Sequence, residues 1–225
     1  VARDREAEPR PHAHAVHGRD DRDAHLPDAR DHGVIAAWQL VGETQVPIVH
    51  GLRTAEGREA VSLTVPADVT IYGFRLRPGD DTSCLNLYQP KRPRVLGVPA
   101  DFVNANRFRF AGVKADASDA ARANPWTLLE SATGGSPIPA IVDQTSLQYV
   151  LHAAVGDVIT IDADTTRPVD LHIVASLDDS ALQGEILIGE DAFRRAFPEV
   201  VGYRAFLVGV RDGSASSVDE VSGAL

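Results

Sequence analysis

The sequence predicts an α+β protein: mixed sheets with few short helices, arranged as two subdomains. Three observations carry that reading. Short runs alternate apolar with polar residues at the period of a strand, as in Val69–Leu76, Asp157–Ile161 and Val169–Ala175. Between them lie stretches that read as short helices, two of them opened by a capping residue, Thr54 and Asp143. Gly, Pro and Asp clusters then separate the elements.

The chain divides by texture. Residues 1–32 are polar, densely charged and hold five of the eight histidines, with no helical or strand period, so they read as a linker or surface-lying arm. Residues 33–137 form an irregular, β-rich companion subdomain. Val34–Val41 is apolar enough for a buried strand, and Thr54 caps a short helix over residues 54–60. After Val69–Leu76, the run Arg77-Pro78-Gly79-Asp80-Asp81 supplies a turn. Prolines at 90, 93 and 99 then favour extended chain or an edge strand. Phe108–Phe110 reads as a short strand, 116–122 as one or two helical turns, and 133–137 as a loop.

Residues 138–210 are more regular and read as an α/β core subdomain. Ile138–Val142 is a short strand, and Asp143 is placed to cap a helix running to His152. There Leu147, Val150, Leu151 and Ala154 fall at i, i+3, i+4 and i+7, with Gly156 as the stop. Residues 157–161 and 169–175 make a hairpin around 162–168. Glu185–Ile188 leads into a helix over 190–197 stopped by Pro198, and Tyr203–Val210 is a last strand. Residues 211–225 form a polar tail.

Composition removes several function classes. The chain has 225 residues, is 44% hydrophobic and 24% charged, and carries a formal charge of −10. A phosphate backbone needs a basic face, so nucleic acid is not a partner. The single cysteine, Cys84, forbids an intramolecular disulfide. No apolar run approaches the ~18 residues that cross a bilayer, and the first ten residues lack the apolar stretch of a signal peptide. With no methionine and Val1 at its start, the chain is expected to be a processed product or a piece cut from a longer one.

The order strand, helix, Gly-Asp, hairpin, strand, helix, strand over 138–210 resembles the periplasmic core domain of MacB/FtsX-type ABC transporter permeases. The text that carries it is Ile138-Pro139-Ala140-Ile141-Val142-Asp143, Gly156-Asp157-Val158-Ile159-Thr160-Ile161 and Glu185-Ile186-Leu187-Ile188-Gly189-Glu190-Asp191-Ala192-Phe193. The return strand Val169–Ala175 matches more loosely. A second block, Phe74 to Tyr88, resembles one branch of those permeases, as do Gly42–Ile48 and Asn124–Leu129. The resemblance spans roughly 33–210.

It implies a domain held outside the membrane between two transmembrane helices, with the tail 211–225 leading toward one of them. It implies an ABC ATPase subunit as partner through those helices, and a periplasmic adaptor, lipoprotein or second permease subunit on the outer side. The domain would be membrane-tethered in the full-length protein, would transmit conformational change and bind a partner or substrate, and would hold no catalytic residue, metal or cofactor. The rival reading is a free-standing secreted protein that binds a small molecule or glycan between its lobes. A third is a hydrolase using Cys84 or the pair Asp80 and Asp81.

Each reactive-looking residue has a plain alternative. Cys84, as a nucleophile, needs a base such as His50, His152 or His172, but its setting Ser83-Cys84-Leu85 reads as chain entering a core. His12, His14, His17 and His25, with Asp20, Asp21 and Asp23, could ligate zinc, copper or nickel, though their spacing offers no scaffold. Asp80 and Asp81 follow Pro-Gly, where aspartate caps a turn, and Arg75 and Arg77 beside them suggest local ion pairs. His152 reads as a partner for helix-terminal carbonyls, and Asp178-Asp179-Ser180 as a solvated loop. Trp38 and Trp126 read as core or inter-subdomain anchors. Phosphate-loop and nucleophile-elbow patterns are absent from the sequence.

Overall fold

The computed structural model describes residues 40–66, 69–79, 92–105, 108–130, 135, 137–162 and 165–210. Among the described residues nine strands form one mixed sheet in the order β1-β9-β2-β3-β8-β5-β7-β4, with β6 also on β7. They are β1 Leu40–Ile48, β2 Val69–Arg77, β3 Arg94–Val98, β4 Arg109–Val113, β5 Ile138–Asp143, β6 Val158–Ile161, β7 Val169–Asp178, β8 Glu185–Gly189 and β9 Tyr203–Val210. The pairs β3/β8 and β5/β7 run parallel, and the rest antiparallel. Strands from residues 33–137 and from 138–210 therefore share the sheet.

Among the described residues four short helices punctuate it: α1 Ala55–Ala60, α2 Asp119–Ala123, α3 Gln144–Tyr149 and α4 Glu190–Ala196, with 3-10 segments at Ala100–Ala105 and Pro125–Leu129. Three are capped as their sequences dictate. Thr54 Oγ1 accepts from Gly57 N at 3.0 Å, and Ser118 Oγ from Ala121 N at 3.2 Å. Asp143 caps α3 through Oδ1, which accepts from Ser146 N at 2.8 Å. Its other oxygen accepts from Gly184 N at 2.9 Å, so one buried carboxylate also fixes the turn into β8.

Both faces of the central strands are covered, which explains their unbroken apolar runs. Leu96, Val98, Ile141 and Leu187 face a cluster built on Phe102 and Trp126. Val95, Ala140, Val142, Ile186 and Ile188 face Leu147 of α3 and Phe193 of α4. In β7 a bulge lies between the pairs Ala140/Ile173 and Ile141/Ala175. It lets Leu171 and Ile173 serve one cluster while Ala175 and Leu177 serve the other. A smaller cluster, Leu52, Val69, Ile71, Phe206 and Val208, sits under the segment around α1.

Three expectations need correction. The first described strand runs past the expected end at Val41, through Gly42–Pro47 to Ile48, while 34–39 lie outside the described residues. The described part of the proline-rich run does not make an edge strand. Pro93 and Pro99 bracket β3 and leave all five of its N–H groups free to pair, so β3 lies between β2 and β8. The helix after Asp143 stops at Tyr149 rather than at His152. His152 takes a left-handed φ of 50°, and Gly156, at φ 103°, donates its N–H to Ile173 O at 2.8 Å. Joining the β7 ladder outweighs three further residues of helix.

Candidate functional site

Most of the sequence-marked reactive residues, namely Cys84, Asp80, Asp81, Trp38 and His12, His14, His17 and His25, lie outside the described residues. Gly79 and Arg92 flank one such stretch, and they are close: a Cβ at Gly79 would stand 2.7 Å from Arg92 O. Of the remaining histidines, His50 and His152 are exposed and His172 is half-buried. Among the described residues no three His, Cys, Asp or Glu side chains gather as a metal site. Trp126 is fully buried and takes Phe102, Phe108 and Phe110 edge-on at 5.1–5.6 Å, as an anchor should. Ser180 is buried rather than solvated, and its Oγ accepts from Leu182 N at 3.0 Å.

The sheet makes one crevice that sequence patterning did not mark. Parallel β3 and β8 end together, with Val98 paired to Gly189. From Val98 the chain passes into Ala100–Ala105, whose Phe102 and Val103 join the Trp126 cluster. From Gly189 it passes into α4, whose Phe193 joins the cluster on the opposite face. Two neighbouring parallel strands whose continuations leave to opposite faces must open a gap at their carboxyl ends. It has a volume of about 400 Å³. Val98, Val103, Leu129 and Ala192 form its apolar floor, and charged residues its rim. Gly189 is required there, because a Cβ would stand 2.9 Å from Leu129 O. The only hint in the text was the strand-to-helix step Ile188-Gly189-Glu190; the second wall comes from residues some 60 to 90 positions earlier.

A second feature is a set of ion pairs joining the outer strands to the centre. The strand β2 pairs with β9 through Val69–Phe74 but with β3 only through Arg75–Arg77. Both arginines of that narrow joint are fastened. Arg75 Nε donates to Glu190 at 2.8 Å and Nη1 to Val200 O at 3.1 Å. Arg77 Nη2 lies 2.6 and 2.7 Å from the two oxygens of buried Asp162, and its guanidinium lies 5.0 Å over the Phe197 ring. Their carboxylate partners among the described residues are thus 115 and 85 positions away, while Asp80 and Asp81, the expected local partners, lie outside the described residues. Burial, then the Glu190 carboxylate, raises the Tyr203 phenol above its usual range.

Further along, Arg94 stands between Glu185 and Glu43, each at 2.9 Å, and Arg204 reaches Glu43 at 3.5 Å. Burial raises the Glu185 carboxyl, and nearby Glu43 adds to the rise, while Arg94 works against it. Burial disfavours the charge on Arg94, but its hydrogen bond to Glu43 and the pull of Glu185 outweigh that and hold it above its usual value. The asymmetry follows exposure, since the Glu185 side chain is far more buried than that of Arg94.

Finally, the two ends of the described body meet. In the antiparallel β1/β9 pair, Leu40 at the start of β1 faces Val208 near the end of β9.

Similar solved structures are outer domains of transporters. The extracellular domain of the ABC-type transporter YknZ from Gram-positive bacteria is 10% identical, with 81% of this chain and 88% of that one covered at a TM-score of 0.38. The periplasmic region of MacB from Actinobacillus actinomycetemcomitans is 8% identical, with 84% and 83% covered at a TM-score of 0.39. No family model and no curated protein matches the sequence. Likenesses this distant settle no residue's role, so the site rests on its own geometry. Among the described residues no helix is long and apolar enough to cross a membrane.

Proposed function

We propose that this chain is the extracytoplasmic domain of an ABC transporter permease, a non-catalytic body that passes movement of membrane helices to a partner or substrate outside. The observation that carries the reading is the side-by-side departure of the two ends. Leu40 and Val208 are register partners in neighbouring antiparallel strands, so chain leading in and chain leading out lie at one pole of the sheet. A domain inserted between two membrane helices needs this. The residue pattern over 138–210 that resembles such permeases supports it independently.

The opposite end of the same strand pair offers a surface for a partner. Val46, Val49 and Val201 flank the Ile48/Tyr203 pair, and all three are exposed by 60% or more. The partners of the reading are an ABC ATPase subunit through the membrane helices and, outside, an adaptor, lipoprotein or second permease subunit.

The test is affinity purification of the complete gene product from detergent-solubilised membranes. An ABC ATPase subunit, or a fused ATPase domain, is expected with it. Recovery in the soluble extracellular fraction with no ATPase would overturn the proposal in favour of a free-standing binding protein, the second reading, which the crevice at the β3 and β8 ends favours.

A further inference from the structure

We propose that the crevice at the carboxyl ends of β3 and β8 binds an aliphatic cation, an ammonium or guanidinium head on an unbranched hydrocarbon stem. The inference does not depend on the membrane-tethered reading. Its first support is topological: parallel neighbours end together here with continuations on opposite faces. Such gaps stay open because the backbone cannot fill them. A volume of about 400 Å³ suits a small molecule or a single long side chain.

The chemistry follows from the lining. The floor of Val98, Val103, Leu129 and Ala192 gains by covering hydrocarbon, and it offers no side-chain polar atom. The rim carries Glu130, Glu190 and Asp191 against a single guanidinium, Arg195. Glu190 is already engaged by Arg75 and Tyr203, whereas Glu130 and Asp191 are exposed at the mouth. An apolar wall beneath a carboxylate rim concentrates negative potential at the opening. A stem lying on the floor would bring its positive head to that rim while leaving it partly hydrated, as long basic side chains do on protein surfaces. A carboxylate on the same stem would meet repulsion. The cation could come from a free amine or from a lysine or arginine of a protein partner, and these give the two arms of the test.

The full 225-residue chain, with Val, Leu and Ala methyls carbon-13 labelled, is titrated by NMR with hexylammonium, with hexanoate and with the peptide acetyl-Gly-Lys-Gly-amide. Hexylammonium is expected to shift the methyls of Val98, Val103, Leu129 and Ala192, with hexanoate silent. Tighter binding of the peptide would assign the crevice to a basic side chain, and tighter binding of hexylammonium to a free amine. The Glu130→Gln/Asp191→Asn double variant, altered only at exposed rim positions, is expected to weaken binding by roughly 5- to 10-fold, as loss of two rim ion pairs does. Ala100→Phe, at an exposed lining position, is expected to block binding while the rest of the spectrum keeps its dispersion. Equal shifts with hexanoate, shifts elsewhere on the protein, no binding of either cation, or unchanged affinity in the rim variant would each overturn the assignment.

Discussion

The central strands β3, β8, β5 and β7 and the outer pair β1 and β9 belong to one sheet but are held in different ways. The central strands are buried on both faces, and their stability is apolar packing. The strand β1 lies at the edge of the described sheet, with a bulge between Glu43 and Ile48, exposed valines along it, and carboxylate–guanidinium contacts to β3 and β9. Between them lies the three-residue joint of β2 with β3, fastened by Arg75 and Arg77. A body built this way has a packed centre and an outer pair joined to it along the sheet by a narrow, charged joint and through the core by Tyr72, Phe74, Ala205 and Leu207 of the larger cluster. The two ends of the described body leave from that outer pair, so any load they carry reaches the centre through the joint and the shared apolar cluster.

Substitutions in the three regions should rank accordingly. Phe102 touches Tyr72, Phe74 and Trp126 edge-on, each at 5.1 Å, in the larger cluster. Phe102→Ala is expected to lower unfolding stability in urea by about 4 kcal/mol, transfer plus cavity. A loss under 1 kcal/mol would mean that the centre is not the stabilising region. At the joint, Arg77→Met leaves Asp162 buried without its cation, and a loss of about 3 kcal/mol is expected. If that loss came with unchanged amide exchange in β9, the joint would not couple the two regions.

The smallest effect belongs to the outer network. Arg94 and Glu43 are more than a third exposed, so Arg94→Met is expected to change stability by well under 1 kcal/mol. It should instead move a titration. Arg94 is the influence that lowers Glu185, so its removal is expected to push the Glu185 carboxyl further above the ordinary glutamate range, read by side-chain carbon-13 NMR. The sign for stability follows. A carboxyl whose folded value is raised binds its proton more tightly when folded. This stabilising contribution is full below the unfolded value and is lost as pH rises through the folded one. The window should widen upward in Arg94→Met. A downward move of Glu185 would refute this description of the network.

The same contrast explains what could be read from sequence. The strands β2, β7, β8 and β9 and the caps at Thr54 and Asp143 were legible, because alternation and capping are local properties. The extent of β1 was not, since Gly42, Gln45 and Pro47 carry no apolar period and the strand exists because β9 pairs with it. The interior place of β3 was hidden by its flanking prolines. The shortening of α3 was hidden because Gly156 serves the β7 ladder rather than the helix. The crevice was the least legible feature, as its two walls meet only through parallel pairing of Val98 with Gly189 across some 90 residues.

The measurement that bears most directly on the account is the side of the membrane on which this body sits. In the complete gene product, with every native cysteine including Cys84 changed to serine, Val46→Cys places a thiol at a 74% exposed position on β1. A membrane-impermeant maleimide added to intact spheroplasts should label that thiol while the protein stays in the membrane fraction after an alkaline wash. Labelling that requires lysis, or release of the protein by the wash, would contradict the account.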